Sequence, residues 1–156
     1  MRNKEKGFSL IELLIVVAII LIIAAIAIPN LLRSKMAANE SSAVGSLRTL
    51  NTASVSFSTT YGGYPPALTN LGPATPATST SADLIDSVLV TGTKSGYSFS
   101  YTAGASDANG NVLAYTITAA PVTLGTTGQR GFFTDQSGVI RGDATGTASV
   151  SSTPIS

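Results

Sequence analysis

The chain opens on an apolar run and then turns periodic. Residues 8–28 read Phe-Ser-Leu-Ile-Glu-Leu-Leu-Ile-Val-Val-Ala and on to Ile-Ala-Ile, 21 residues with almost no polar break. At about 1.5 Å per residue such a helix reaches roughly 31 Å, the thickness of a bilayer core. One membrane-spanning helix is predicted there. After Pro29 apolar and small positions recur at spacings of three and four: Leu32, Met36, Asn39, Ala43, Leu47, Leu50, Ser54, Phe57 and Tyr61. That is one stripe of a helix, with Arg33, Lys35, Asn51 and Thr59 on the opposite side. The two stretches together predict a continuous helix of roughly 80 Å, more than a small domain can bury. Tyr61-Gly62-Gly63-Tyr64-Pro65-Pro66 should end it, glycine taking the left-handed cap and the prolines unable to continue.

Residues 62–96 read as a loop region, Pro/Thr/Ser/Ala-rich over 69–82, with Leu84, Ile85 and Val88 hinting at a short helix. Beyond Lys94 the period becomes two. Tyr97, Phe99 and Tyr101 alternate with Ser98, Ser100 and Thr102, and a second run covers residues 114–119. The turn-forming Asp107-Ala-Asn-Gly-Asn111 between them makes the pair a hairpin. A second hairpin is predicted from residues 131–134, the turn Asp135-Gln-Ser-Gly138 and residues 139–141. The fold class is therefore α+β: a long amino-terminal helix, spanning the membrane in its first half, packed on an antiparallel sheet of about four strands over residues 97–141. Residues 142–156 are expected to form a flexible tail.

Composition sharpens this picture at a few points. Arg2, Lys4 and Lys6, opposed only by Glu5, stand before the apolar run and should remain cytoplasmic. Without residues 1–7 the chain has six basic and seven acidic side chains, a net charge of −1 with no basic stripe. No nucleic-acid partner is indicated. Cysteine and histidine are absent, which removes disulfides, thiolate and imidazole catalysis and the common zinc sites. The acids are scattered and Lys94 lies in a turn-like Thr-Lys-Ser-Gly, so neither an enzyme nor a cofactor is expected. Asp107, Asn109 and Asn111 have the oxygen spacing that begins a calcium loop, but the closing bidentate Glu is missing, and a plain turn is the simpler reading. The ten aromatic residues read as core and strand pairs. The Thr/Ser-rich loop at 75–81 has a composition that could accept O-linked sugars.

Glu12 is the anomaly, because a charged side chain in hydrocarbon costs on the order of 2.5–3.5 kcal/mol on insertion scales. A cleaved secretory signal ending at Ala25-Ile26-Ala27 leaves that carboxylate interrupting the apolar region, and a plain signal anchor leaves it unexplained. Lys6-Gly7-Phe8-Ser9-Leu10-Ile11-Glu12, followed by the apolar run and Pro29, closely resembles the class III signal of type IV pilins and type II secretion pseudopilins. The resemblance is strong over residues 1–61. It continues more loosely through Gly128-Gln-Arg-Gly-Phe-Phe-Thr-Asp-Gln-Ser-Gly-Val-Ile-Arg141, which is similar to the sheet of short type IVa pilins.

That resemblance implies a leader of residues 1–7, cut after Gly7 by a prepilin peptidase that then N-methylates Phe8. It implies retention of 8–28 as membrane anchor and filament core, with 29–61 continuing the helix. The partners implied are further copies of the chain in a helical filament, the peptidase/N-methyltransferase, the pilus assembly machinery and, before assembly, the inner membrane. Glu12 would meet the Phe8 amine of a neighbouring copy, and Pro29 would loosen the helix. The implied function is a structural subunit of a type IV pilus, extracellular once assembled. A type II secretion pseudopilin or a minor pilin is the alternative within the family, and a membrane-tethered adhesin or binding module the alternative outside it. Some pseudopilins bind calcium near their C-terminal loops, which keeps Asp107, Asn109 and Asn111 as metal candidates. Two departures stand out: no disulfide can close the last strands, and no glycine lies between Gly7 and Gly45.

Overall fold

The computed structural model describes residues 7–155; the charged stub Arg2, Lys4, Glu5 and Lys6, and the final Ser156, lie outside the described residues. Helix α1 spans Leu10–Tyr61 with Pro29 inside it. The chain divides into two compact units between Lys35 and Met36.

In the first unit every Leu, Ile and Val from Leu10 to Leu32 is exposed. Nothing in the described residues covers them, and this part of α1 is long and apolar enough to cross a membrane. So large a continuous apolar surface is not stable in water and requires lipid or other helices around it.

The second unit has a core of its own. Along α1 the stripe is buried at Ala43, Leu47, Leu50, Ser54 and Phe57, joined by Ser46 and Ala53. The helix stops as its sequence dictates: Gly62 takes φ +85°, and its N–H bonds to Ser58 O at 2.9 Å. A 3₁₀ turn, Leu68–Leu71, and a one-turn helix α2, Ser87–Val90, follow. Asp86 caps α2 by accepting the Leu89 N–H at 2.6 Å, and Leu71, Ala82, Ile85 and Leu89 enter the core from this region.

The sheet is an antiparallel meander in chain order: β1 Thr93–Lys94, β2 Tyr97–Ala103, β3 Tyr115–Pro121, β4 Gly131–Asp135, β5 Arg141–Asp143 and β6 Thr153–Pro154. Tyr97, Phe99, Tyr115, Ile117, Ala119 and Phe132 lie in one cluster with the α1 stripe, as alternation requires when one sheet face is covered by a helix. Each large side chain sealed in this way contributes about 1.5–3 kcal/mol relative to exposure.

Two strands correct the expectation of four. β1 and β6 are two residues each, too short for a period of two to register, and both sit at an edge. Pro154 is admissible because edge strands tolerate a residue without an N–H. The segment read as a loose tail therefore supplies Gly142 and Asp143 of β5 and all of β6, and the Ile155 N–H bonds to Ile140 O at 2.9 Å.

Candidate functional site

The residues that the sequence marks for processing and assembly lie at the start of α1. Phe8 precedes the helix and is 77% exposed. Ser9 is the residue before the first helical turn. Its Oγ accepts the Ile11 N–H at 3.3 Å, its carbonyl accepts the Leu13 N–H at 3.2 Å, and its own N–H donates to Glu12 Oε2 at 2.9 Å. A serine and a glutamate three residues apart, each serving amides of the first turn, form the reciprocal arrangement of a capping box. The Glu12 carboxylate also lies where the partial positive charge of the helix start favours an anion. Ser9-x-x-Glu12 is a signal that could have been read from sequence as a cap.

Pro29 has no N–H to give the Ala25 carbonyl, yet α1 is helical on both sides of it. Gly7, Phe8 and Glu12 fall within six residues, whereas Pro29 sits almost five turns further along the helix.

Asp107, Asn109 and Asn111 are brought together by their own turn. Asp107 Oδ1 accepts the Asn109 and Asn111 N–H groups at 2.8 and 2.9 Å, and Oδ2 accepts the Asn111 side-chain amide at 3.0 Å. The Asn111 side chain first, then the backbone N–H groups, hold the Asp107 carboxyl below its ordinary value. These bonds are those of an aspartate-stabilised turn. Among the described residues there is no group of three or more His, Cys, Asp or Glu side chains placed to share a metal ion.

A further charged site was not singled out in the sequence. Glu40, in the second unit, accepts the Gln129 N–H at 2.9 Å and the Arg130 N–H at 3.1 Å on Oε1, and the Arg130 Nε at 2.9 Å on Oε2. Partial burial pushes its carboxyl up, but the hydrogen bonds from Gln129 and Arg130 and the Arg130 charge outweigh this and hold it below the ordinary glutamate value. Beside it Asn39 donates to Thr127 O at 2.8 Å. Together they tie α1 to the β3–β4 loop, and Tyr97, whose hydroxyl donates to Arg130 O at 2.7 Å, is pushed up to about 12, chiefly by burial.

One comparison with known proteins falls on the same amino-terminal segment. The prokaryotic N-terminal methylation motif matches residues 2–28. The type IV major pilin protein PilA of Myxococcus xanthus is 52% identical over 54 residues, 35% of this chain and 24% of that protein. The type IV wide pilus major component PilA4 of Thermus thermophilus is 65% identical over 40 residues, 26% of this chain and 30% of that protein. The matched part of the chain thus spans less than a third of either relative. No solved structure matches the chain. The methylation motif over residues 2–28 and the two relatives make part of this chain similar to type IV major pilins and their class III prepilin signal, on a capped apolar helix that leads into a helix-on-sheet fold.

Proposed function

We propose that the chain is a structural subunit of a type IV pilus. It enters the inner membrane as a prepilin with residues 1–7 cytoplasmic, and the prepilin peptidase cleaves after Gly7 and N-methylates Phe8. Residues 8–28 then leave the lipid for the core of a helical filament built from copies of the same chain by the pilus machinery. Residues 29–61 carry the helix into the outer unit.

One observation carries this reading: α1 exposes its whole apolar surface over the residues that match the methylation motif, so a surface that must be buried coincides with a signal for amino-terminal processing. The two relatives that part of the chain resembles are, by name, major pilins. The role is mechanical and involves no catalysis. Glu12 supports assembly by meeting the methylated Phe8 amine of a neighbour, a pair of opposite charges that neutralise each other in a low-dielectric core. Pro29, by depriving the Ala25 carbonyl of a partner, gives the helix a point at which to loosen as it packs.

Mass spectrometry of the mature chain and electron microscopy of sheared surface fractions test the proposal together. N-methyl-Phe8 at the terminus, in fibres made of this chain, is the expected result. A terminus at Ile28 would establish a secretory signal, and a correctly cleaved chain that stays in the membrane without fibres would mark a tether or a secretion pseudopilin instead.

A further inference from the structure

The two ends of the sheet differ in a way that suits them to each other. Tyr97 and Pro121 pair at one end, and from there residues 122–130 loop from β3 to β4. This loop is braced. Its Val122 N–H bonds to Gly96 O and its Gly125 N–H to Gly128 O, both at 2.9 Å, while Asn39 and Glu40 hold Thr127, Gln129 and Arg130. Leu124 lies against Gly146. Even so, Val122 is 58% and Leu124 53% exposed. A loop fixed by that many bonds presents its apolar side chains in a set geometry.

At the other end of the sheet Ala103 pairs with Tyr115 and Thr116 with Asp135. Here an open cleft of about 570 Å³ is lined by Ala103, Ala114, Phe133 and Val150, with Asp135 as its one charged lining residue. Arg130 is in turn the one charged residue of the loop, its side chain 48% exposed although it also pairs with Glu40.

We propose that these ends meet head to tail between copies: Val122 and Leu124 of one subunit seat in the Phe133–Val150 cleft of the next, and Arg130 faces Asp135 across the contact. The inference rests on the filament reading above and adds a contact between outer units to it. The two surfaces are different patches at opposite ends of one sheet, so the contact is heterologous, the kind that can propagate along a fibre. One loop in one cleft covers far less than the ~1,200 Å² that stable complexes bury. It therefore forms only where packed α1 helices already hold copies at high effective concentration, and the chain in detergent stays monomeric.

The absence of cysteine makes the test clean. A Leu124→Cys, Val150→Cys double variant, oxidised mildly in intact fibres, should give a ladder of covalent multimers on a denaturing gel, and each single variant should give none. Hydroxyl-radical labelling of wild-type fibres should fall several-fold at Val122, Leu124 and Val150 relative to the detergent-held monomer. That measurement decides the matter if the double variant does not assemble. Wild-type fibres labelled like the monomer at these residues, or double-variant fibres without a ladder, overturn the contact and leave the filament standing. A wild-type chain that forms no fibres overturns the filament reading, and the contact with it.

Discussion

The Glu12 carboxylate is asked for two things that substitution can separate. As the acceptor of the Ser9 N–H at 2.9 Å it caps α1, a task that any side-chain oxygen at this position performs and that glutamine shares. As a charge it complements the helix start and, in the proposed filament, neutralises a neighbour's Phe8 amine. Removing one member of a desolvated ion pair leaves the other uncompensated, a loss of about 3–5 kcal/mol, whereas a lost cap costs only about 1 kcal/mol. The larger effect should decide assembly. Glu12→Gln keeps the cap without the charge, and Glu12→Ala loses both. Both variants are expected to insert and to be cleaved after Gly7, seen as an N-methyl-Phe8 terminus by mass spectrometry, and both should lose nearly all fibre yield. A Glu12→Gln protein with wild-type yield beside a defective Glu12→Ala protein would make Glu12 a cap and remove the charge pairing.

Between elements, Glu40 is the tie that joins α1 to the β3–β4 loop within the second unit. Its folded-state value lies below the ordinary 4.5, so the stability it supplies is fully present above the unfolded value and is lost as pH falls through the folded one. Glu40→Gln should therefore be less stable than wild type by about 1–3 kcal/mol at pH 7, the difference shrinking below the unfolded value and vanishing below the folded one. Asp86, Asp107 and Asp143 are also held below their ordinary values, but they are common to both proteins, so the difference isolates Glu40. Urea unfolding of the detergent-held chain, followed by tyrosine near-ultraviolet circular dichroism across pH 3–7, measures it. Coincident curves would mean that the tie contributes nothing, and a constant offset that its contribution does not depend on the Glu40 charge. This tie was invisible in the sequence because its partners are 90 residues apart, and only the fold brings them within bonding distance. The buried stripe from Ala43 to Phe57 and the alternation at Tyr97 and Phe99 were legible, since burial of one face imprints its period on the residues. Strands β1 and β6 were not, since two residues carry no period.

For the whole molecule the contrast lies between a unit that seals its own core and a helix segment that seals nothing. The second unit buries Leu47, Leu50, Tyr97, Tyr115, Ile117 and Phe132 almost completely, while the large apolar residues from Phe8 to Ile28 all stay exposed. These depend on an external apolar phase, and the proposed function gives them two in succession, lipid and then neighbouring helices. The two phases differ in tolerance. Each Leu, Ile, Phe or Val contributes on the order of 0.3–0.6 kcal/mol to insertion at a helix centre, and a single lysine opposes this by about 2.5–3.5 kcal/mol. The fifteen large apolar residues between Phe8 and Ile28 outweigh one such charge, so Ile19→Lys should still insert and resist carbonate extraction. Lipid also lets a lysine snorkel toward the interface. A filament core of packed helices offers neither that escape nor a second carboxylate, because Glu12 is the one acid between Phe8 and Glu40. Ile19→Lys is thus expected to remain in the membrane fraction, keep a protease-resistant second unit and yield no fibres in sheared preparations. Fibres at wild-type yield would mean that this face of the helix is not in the filament core, and loss from the membrane fraction would mean that the anchor is weaker than its composition implies.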